Sequence, residues 1–198
     1  MMRRNDIKGQ AGARRALEVA CVGGHSIMLV GPRGAGKHTL LEAYQQTEIG
    51  AAVVGMAVDC CPCGNYQATR KECPCSARLI ARYWRRLERA AEGYDILLEV
   101  PELNTREYLA EPDLEREKWE DTRVKAAWKW GGEHTLLDIK GDDATRRLYE
   151  MAVDRCGLTL DRANRMVRVA RSIANLAESE RIQAKHLAEA AQYSRLPY

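Results

Sequence analysis

The 198-residue sequence predicts an α/β fold with a small parallel sheet, followed by a helical C-terminal third. Three short apolar runs indicate buried strands, over residues 26–30, 51–58 and 94–100. Helical patterns separate these runs, and an alternation of strands and helices is typical of parallel sheets. A glycine-rich turn also joins the first strand directly to a helix, a connection typical of α/β folds.

The N-terminal half alternates helix and strand. Its first helix is predicted over residues 9–24, because Ala13, Leu17 and Ala20 recur at helical spacing and two glycines end the pattern. The other predicted elements of this half are, in order, the strand at 26–30, a helix at 37–46, the strand at 51–58, a helix at 76–92 and the strand at 94–100.

The C-terminal half is predicted to be helical throughout. Residues 102–143 are charged and weakly patterned, with one helix expected over 114–130. Three further helices follow, and Thr159 is the expected N-cap of the middle one. The predicted division is a core at residues 1–101 with a cysteine insertion at 60–75, a helical linker at 102–143 and a helical lid at 144–198.

Composition limits the class of protein. No apolar run approaches the roughly 18 residues that span a membrane, and the N-terminus lacks the apolar core of a secretory signal. We therefore expect a cytoplasmic protein without a membrane span. The formal net charge of +3 is small, so nucleic-acid binding would require a local cluster of basic residues.

The segment GPRGAGKHT, residues 31–39, resembles a phosphate-binding loop. His38 stands where the pattern has a hydroxyl that holds Mg²⁺, and Mg²⁺ prefers oxygen ligands. Thr39 is expected to point about 100° away from position 38. The alternative is a glycine turn that binds nothing. The predicted nucleotide-binding residues are Gly31, Gly34, Gly36, Lys37, His38 and Thr39.

Hydrolysis of a bound nucleotide requires a carboxylate at a neighbouring strand end and, in many enzymes, an arginine. Asp59 and Glu99 end apolar runs, but neither forms the usual pair of acids after four apolar residues. The sequence therefore identifies no catalytic residue.

Seven cysteines are present, and five lie between residues 60 and 75. Two C-P-C pairs suit a tetrahedral Zn²⁺ site, and a cluster in a reducing compartment favours metal over disulfides. The predicted ligands are Cys61, Cys63, Cys73 and Cys75. Cys60 is an alternative to Cys61, and a set of merely reduced thiols is the alternative to a metal site.

The helix at 76–92 carries a basic face. Its arginines recur at i, i+4, i+7, i+8 and i+11, and such a stripe can follow a phosphate backbone, with Trp84 beside it for stacking. The alternative is a solvated or ion-paired face. The candidate nucleic-acid-binding residues are Arg78, Arg82, Arg85, Arg86 and Arg89.

Three segments together resemble one family, the magnesium-chelatase-like AAA+ ATPases of the competence-related ComM/YifB type. They begin with DIKGQ at residue 6, CPCG at residue 61 and VRVARSIANL at residue 167. The resemblance implies a P-loop AAA+ core with a helical lid, ATP and Mg²⁺ as ligands, ring assembly and action in DNA recombination. It also implies that residues 7–10 lie near the nucleotide base.

Departures from the family pattern are concentrated at charged positions. The family's stretch between the phosphate-loop helix and the cysteine element is nearly absent, and it holds two strands and the metal-binding acids. Asp59 replaces an asparagine, while Trp128 and Asp161 replace arginines. Loss of two strands from the AAA+ order 5-1-4-3-2 leaves 5-1-4, with the strand at 51–58 at an open edge. We expect a partner, an oligomer contact or a helix to cover that edge.

The resemblance therefore implies an ATP-binding protein with weak or no hydrolysis, acting in DNA recombination or processing. The alternative is a zinc-stabilised DNA-binding or adaptor module that partners a full-length relative. A further alternative is a homo-oligomeric ring with full ATPase activity, in which another chain supplies the missing acid.

Overall fold

Three parallel strands form the sheet in the order β2–β1–β3. The computed structural model describes residues 7–45, 50–109, 114–130 and 143–196. Its strands are β1 (Ile27–Gly31), β2 (Gly55–Asp59) and β3 (Ile96–Glu99). The strand before the glycine-rich turn thus lies in the centre, with Leu29 in register with Ala57 on one side and Leu98 on the other. The second strand begins later than the sequence predicts.

Side chains of β1 alternate between two hydrophobic cores, because successive residues of a strand point to opposite faces. Ile27 and Leu29 join the core that also contains residues of the C-terminal helices. Met28 and Val30 join a smaller core on the other face. All five residues of β1 are buried, as expected of a central parallel strand.

Eight helices occur among the described residues. They are α1 (Ala11–Gly23), α2 (Lys37–Gln45), α3 (Ala77–Ala91), α4 (Thr105–Leu109), α5 (Leu114–Lys129), α6 (Asp143–Cys156), α7 (Leu160–Leu176) and α8 (Ala184–Gln192). Helix α4 was not predicted from the sequence, since its five residues are too few to show a helical period. None of the helices in the described ranges is both long and apolar enough to cross a bilayer.

The C-terminal helices pack directly on the sheet-bearing part. The N-cap predicted for α7 is confirmed, since Thr159 Oγ1 accepts a hydrogen bond from the Arg162 N–H at 3.3 Å. Met166 and Ile173 of α7 lie in the same hydrophobic core as Leu17 of α1. The core is therefore continuous from the sheet to the C-terminal helices.

The two edges of the sheet differ. At β3, the Leu97 N–H donates to the Tyr193 carbonyl at 2.9 Å, so the segment after α8 covers part of that edge. At β2, which pairs only with β1 among the described residues, Val54 is 70% exposed and Met56 42% exposed. This strand was expected at an open edge, and the partner, oligomer contact or helix expected to cover it stays a prediction.

Candidate functional site

The glycine-rich turn wraps around the amine of Lys37. Only 4% of this residue is exposed, and its Nζ donates to the Gly31 carbonyl at 2.9 Å and the Pro32 carbonyl at 2.7 Å. Gly34 and Gly36 have φ values of 89° and 86°, in the left-handed region that favours glycine. The turn therefore has the shape of a phosphate-binding loop, at the N-terminus of α2.

Asp59, at the end of β2, brings a carboxylate to this turn. Its Oδ1 lies 3.3 Å from Lys37 Nζ, and its Oδ2 lies 3.3 Å from Arg33 Nη2. Both carboxylate oxygens are therefore engaged by cations of the loop. Glu99, the other acid considered from the sequence, lines a separate groove between β3 and the end of α8.

The residues after Lys37 occupy different faces of α2. The buried face of the helix contains Leu40 and Tyr44, and this packing fixes the rotation of α2 about its axis. His38 is consequently exposed, beside Glu42. Thr39 is half-buried and lines the cavity described below. The structure thus places Thr39, rather than His38, on the cavity wall.

A cavity of about 590 Å³ opens beside the loop. The loop residues Arg33, Gly34 and Gly36 form one part of its wall. Three other segments complete the wall: the N-terminal residues 7–10, the cysteine-rich segment and the stretch from residue 102 to α4. This volume lies in the range typical of small-molecule sites.

Gln10 connects three of these segments. It adopts a left-handed conformation with φ 52° and is only 9% exposed. Its Nε2 donates to the Pro101 carbonyl at 2.7 Å and to the Ala35 carbonyl at 3.4 Å. The start of α1 is thereby held against the loop and the end of β3. Ile7 and Lys8, which the family resemblance places near a nucleotide base, line the same cavity.

Seven cavity residues outside the loop and α2 were not singled out from the sequence. They are Asn65, Arg70, Lys71, Glu102, Leu103, Thr105 and Tyr108. All are distant from the loop along the chain and are brought to it by the fold. The signal that could have found two of them is the basic Arg-Lys pair between the cysteine pairs, in a segment that follows a strand neighbouring the loop.

The four cysteines of the two C-P-C pairs come together. The Sγ atoms of Cys61, Cys63, Cys73 and Cys75 lie within 4.8 Å of one another. Cys61 Sγ is 3.3 Å from Cys63 Sγ and 3.7 Å from Cys73 Sγ. A zinc ion with four sulfur ligands at about 2.3 Å has sulfur–sulfur edges of roughly 3.8 Å. The cluster therefore has the size of a four-thiolate zinc site.

Backbone N–H groups support the thiolates of this cluster. The Tyr66 N–H donates to Cys61 Sγ at 3.2 Å, and the Asn65 N–H donates to Cys63 Sγ at 3.4 Å. Burial by itself raises the pKa of the Cys61 thiol, but the Tyr66 N–H and the neighbouring thiols lower that pKa to about 7. Such outer hydrogen bonds orient the ligands of a metal site and favour their charged form.

Cys60 does not belong to the cluster. Its Sγ is buried and donates to the Tyr66 carbonyl at 2.6 Å. The four-sulfur group within 4.8 Å contains Cys61 and excludes Cys60. The alternative in which Cys60 replaces Cys61 is therefore not supported by the geometry.

The arginine face of α3 points to solvent. All five of its members are exposed: Arg78, Arg82, Arg85, Arg86 and Arg89. The prediction that Trp84 stacks beside them is wrong, because Trp84 is 2% exposed and packs with Ile80 and Leu87 under the sheet. Its position at i+4 from Ile80 was the signal for that buried face.

Family comparisons cover both halves of the chain. The family described as magnesium chelatase, subunit ChlI, matches residues 4–49 and 47–108. The family described as magnesium chelatase, subunit ChlI C-terminal, matches residues 113–194. The first match comes in two pieces that meet near residue 48, where the sequence analysis places the shortened stretch. No curated protein matches the chain. The chain therefore belongs to the magnesium chelatase ChlI family.

Proposed function

We propose that this chain is an AAA+ protein that binds ATP at the loop of residues 31–37, hydrolyses it weakly or not at all, and acts in DNA recombination or processing. The observation that carries the proposal is the buried amine of Lys37 inside a glycine turn whose residues Gly34 and Gly36 line a cavity that admits a small molecule. A bound polyphosphate would replace the loop carbonyls as the partner of this amine.

Magnesium bound with ATP would need oxygen ligands close to the loop. Thr39 lines the cavity, and its hydroxyl would supply such a ligand. Asp59 fits this role less well, because both of its oxygens already contact cations. When bound, the ion would neutralise part of the charge on the outer phosphates.

Weak hydrolysis is supported by where the other charged groups lie. Glu99 faces a different groove, and no described strand places a second carboxylate beside Asp59. Arg162, next to the position where the family pattern has an arginine, donates to the carbonyls of Tyr94 at 2.6 Å and Ala91 at 2.7 Å. Because these hydrogen bonds link α7 to the end of α3, the Arg162 guanidinium has a structural role and does not replace the missing arginine.

The sheet also supports a reduced AAA+ core. Three parallel strands in the order β3–β1–β2 are compatible with strands 5-1-4 of that fold, and this assignment is part of the proposal, as is the division into a core (1–101), a linker (102–143) and a lid (144–198). Under it, the open edge at β2 is the place where the missing strands would have paired.

Phosphate release from ATP tests the hydrolysis half of the proposal. We expect a rate no higher than that of the Lys37→Ala variant, with or without Mg²⁺ and DNA. A wild-type rate clearly above that of Lys37→Ala would contradict weak hydrolysis and favour the ring in which another chain supplies the acid.

A second candidate function is DNA binding through α3, alone or as an adaptor for a full-length relative. The observation in its favour is that none of the five exposed arginines forms an ion pair with any described residue. Along the helix they extend over roughly 16 Å, the length of several phosphates.

Charge reversal tests this surface. Arg82→Glu combined with Arg86→Glu should weaken binding of a DNA duplex and reduce its salt dependence. Arg181→Glu combined with Lys185→Glu is the matched control, because both residues are exposed and lie far along the chain from α3. Equal DNA and partner binding by the two double variants would rule out α3 as the interface.

A further inference from the structure

The cysteine-rich segment forms part of the wall of the nucleotide cavity. Between the two cysteine pairs, the chain runs from Gly64 to Glu72, and three of its side chains line the cavity: Asn65, Arg70 and Lys71. Residues of the phosphate loop line the same cavity. The segment that the cysteines hold and the loop that would hold phosphate therefore face one space.

Backbone hydrogen bonds link the N-terminal end of this segment to the phosphate loop. The Arg33 N–H donates to the Gly64 carbonyl at 2.7 Å, and the Cys60 N–H donates to the Gly31 carbonyl at 3.0 Å. The contact is close, since a Cβ on Gly64 would lie 3.0 Å from Arg33 Cβ. A shift of the first cysteine pair would therefore move the backbone of the phosphate loop.

Near its C-terminal end, the segment is hydrogen-bonded to the residue that follows β3 and Pro101. Glu102, just beyond β3, accepts hydrogen bonds from the Thr69 N–H at 2.9 Å and from Thr69 Oγ1 at 2.7 Å. These bonds lower the pKa of Glu102, so its carboxylate stays charged while holding Thr69. Arg70 and Lys71 follow directly and are thereby presented at the cavity.

The cavity wall is strongly basic. Lys8, Arg33, Arg70 and Lys71 contribute four cations, whereas Glu102 is the single acid among the lining residues. Arg70 and Lys71 are exposed, and neither has a carboxylate of a described residue within 4.0 Å of its charged group, although Arg70 is near enough to Glu102 to help lower the pKa of that acid. Such a wall suits a ligand with several negative charges, and these two cations can bind it without first breaking a close ion pair.

The four cysteines lie at the two ends of the segment that forms this part of the wall. Cys63 and Cys73 close the segment between them, and the backbone N–H groups of Asn65 and Tyr66 donate to the cysteine sulfurs. Four thiolates repel one another unless a cation lies between them, so a metal ion would hold the two ends of the segment together.

We propose that Arg70 and Lys71 bind the phosphates of the nucleotide from the cysteine-rich segment, so that metal binding at the four cysteines and nucleotide binding at the loop strengthen each other. This inference rests on the proposed ATP binding and deepens it. By linkage, the factor by which zinc raises nucleotide affinity equals the factor by which nucleotide raises zinc affinity.

The first test is a titration with a fluorescent ATP analogue. In zinc-loaded protein, Arg70→Glu combined with Lys71→Glu should weaken binding roughly tenfold or more. Arg181→Glu combined with Lys185→Glu carries the same change in charge outside the cavity and should change the affinity less than about twofold. Equal affinities of the two double variants overturn the role of Arg70 and Lys71. Both should retain zinc, which shows that the segment is still assembled.

The second test measures coupling from the metal side. Zinc-loaded protein is mixed with a chromophoric chelator, and the rate of zinc release is followed with and without ATP. ATP should slow release from the wild type roughly fivefold or more. It should not slow release from Lys37→Ala, which controls for chelation of zinc by ATP itself. An unchanged wild-type rate at saturating ATP overturns the coupling.

Binding of the analogue by the wild type and the variants distinguishes a failure of the proposed ATP binding from a failure of this inference alone. If wild-type protein binds no analogue with or without zinc, ATP binding and this inference are both wrong. If the wild type binds the analogue and Lys37→Ala does not, while the Arg70 and Lys71 variant binds like its control, ATP binding stands and this inference alone is wrong.

Discussion

Asp95 joins the sheet to helix α7 through charged contacts. Its Oδ2 accepts hydrogen bonds from the Ser26 N–H at 3.1 Å and the Ser26 hydroxyl at 3.2 Å. Its Oδ1 lies 3.0 Å from Arg165 and 3.2 Å from Arg168. Burial by itself raises the pKa of Asp95, but the His25 ring, the Ser26 N–H and the Arg168 charge hold it well below its ordinary value.

We expect Asp95→Asn to lower the free energy of unfolding by about 2 kcal/mol at neutral pH, because several donors lose a charged acceptor. The folded-state pKa lies below the unfolded value of about 3.9, so this stabilisation is complete above pH 4 or so and is lost as pH falls through the folded pKa. Urea denaturation at a series of pH values checks this. The difference from wild type should shrink towards pH 3.

The exposed Asp161 gives a control for that measurement. It also pairs with Arg165, at 2.7 Å, but its side chain is 70% exposed. Asp161→Asn should therefore change stability little. If both variants lose the same free energy, or if the loss in Asp95→Asn is independent of pH, the interpretation of Asp95 as a buried charged link is wrong.

Several residue positions could be predicted from the sequence, and others could not. The spacing of Gly31, Gly36 and Lys37 is typical of a phosphate-binding loop, so it predicts a glycine-rich turn that contains a lysine. The side on which Thr39 lies depends instead on how α2 packs, which the local pattern does not contain. Asp59 shows the same limit, since only the sheet register brings it to Lys37.

At the scale of elements, the cysteine-rich segment is an ordered unit without a helix or strand of its own between residues 60 and 76. Its shape depends on sulfur clustering and on contacts with the phosphate loop. The C-P-C pairs predicted which four cysteines come together, because the two pairs are regular. The sequence could not predict that the intervening segment faces the cavity beside the loop, because that placement depends on Gly64 and Thr69 contacting residues far away in the chain.

The metal content of the purified protein tests the four-cysteine cluster directly. Purified under reducing conditions, the wild type should retain one zinc ion per chain, and Cys61→Ser or Cys73→Ser should lose it and melt at a lower temperature. Cys60→Ser should retain zinc, because the Cys60 sulfur points to the Tyr66 carbonyl. Mass spectrometry of the metal after dialysis provides the measurement. Loss of zinc from Cys60→Ser with retention in Cys61→Ser would reverse the ligand assignment.

At the scale of the whole molecule, the C-terminal helices share a core with the sheet. Leu17, Ile27 and Met166 belong to one hydrophobic cluster, and Arg15 of α1 contacts Glu189 of α8 at 2.8 Å. The sequence predicted the helices of this region from their period. The sequence could not predict that α7 packs on α1, because an amphipathic pattern identifies the buried face of a helix but not the element that packs against that face.

A continuous core predicts one cooperative unfolding transition. Circular dichroism at a helical wavelength and tryptophan fluorescence should report the same midpoint in urea. Exposure of the shared hydrophobic core destabilises the sheet-bearing part and the C-terminal helices together. Trp84 lies under the sheet and Trp128 lies on α5, so the fluorescence reports on the chain before α6, whereas the helical signal also includes α6, α7 and α8. Two separate transitions would instead indicate that the C-terminal helices and the sheet-bearing part unfold independently.

The most direct test of ATP binding is a titration of a fluorescent ATP analogue into the wild type and into Lys37→Ala, each with and without Mg²⁺. Thermal melting first establishes that both proteins are folded. We expect the wild type to bind the analogue, to release it to excess ATP, and to bind it at least about tenfold more tightly than Lys37→Ala. Equal binding by the two proteins, or none by either, would contradict a nucleotide site at this loop.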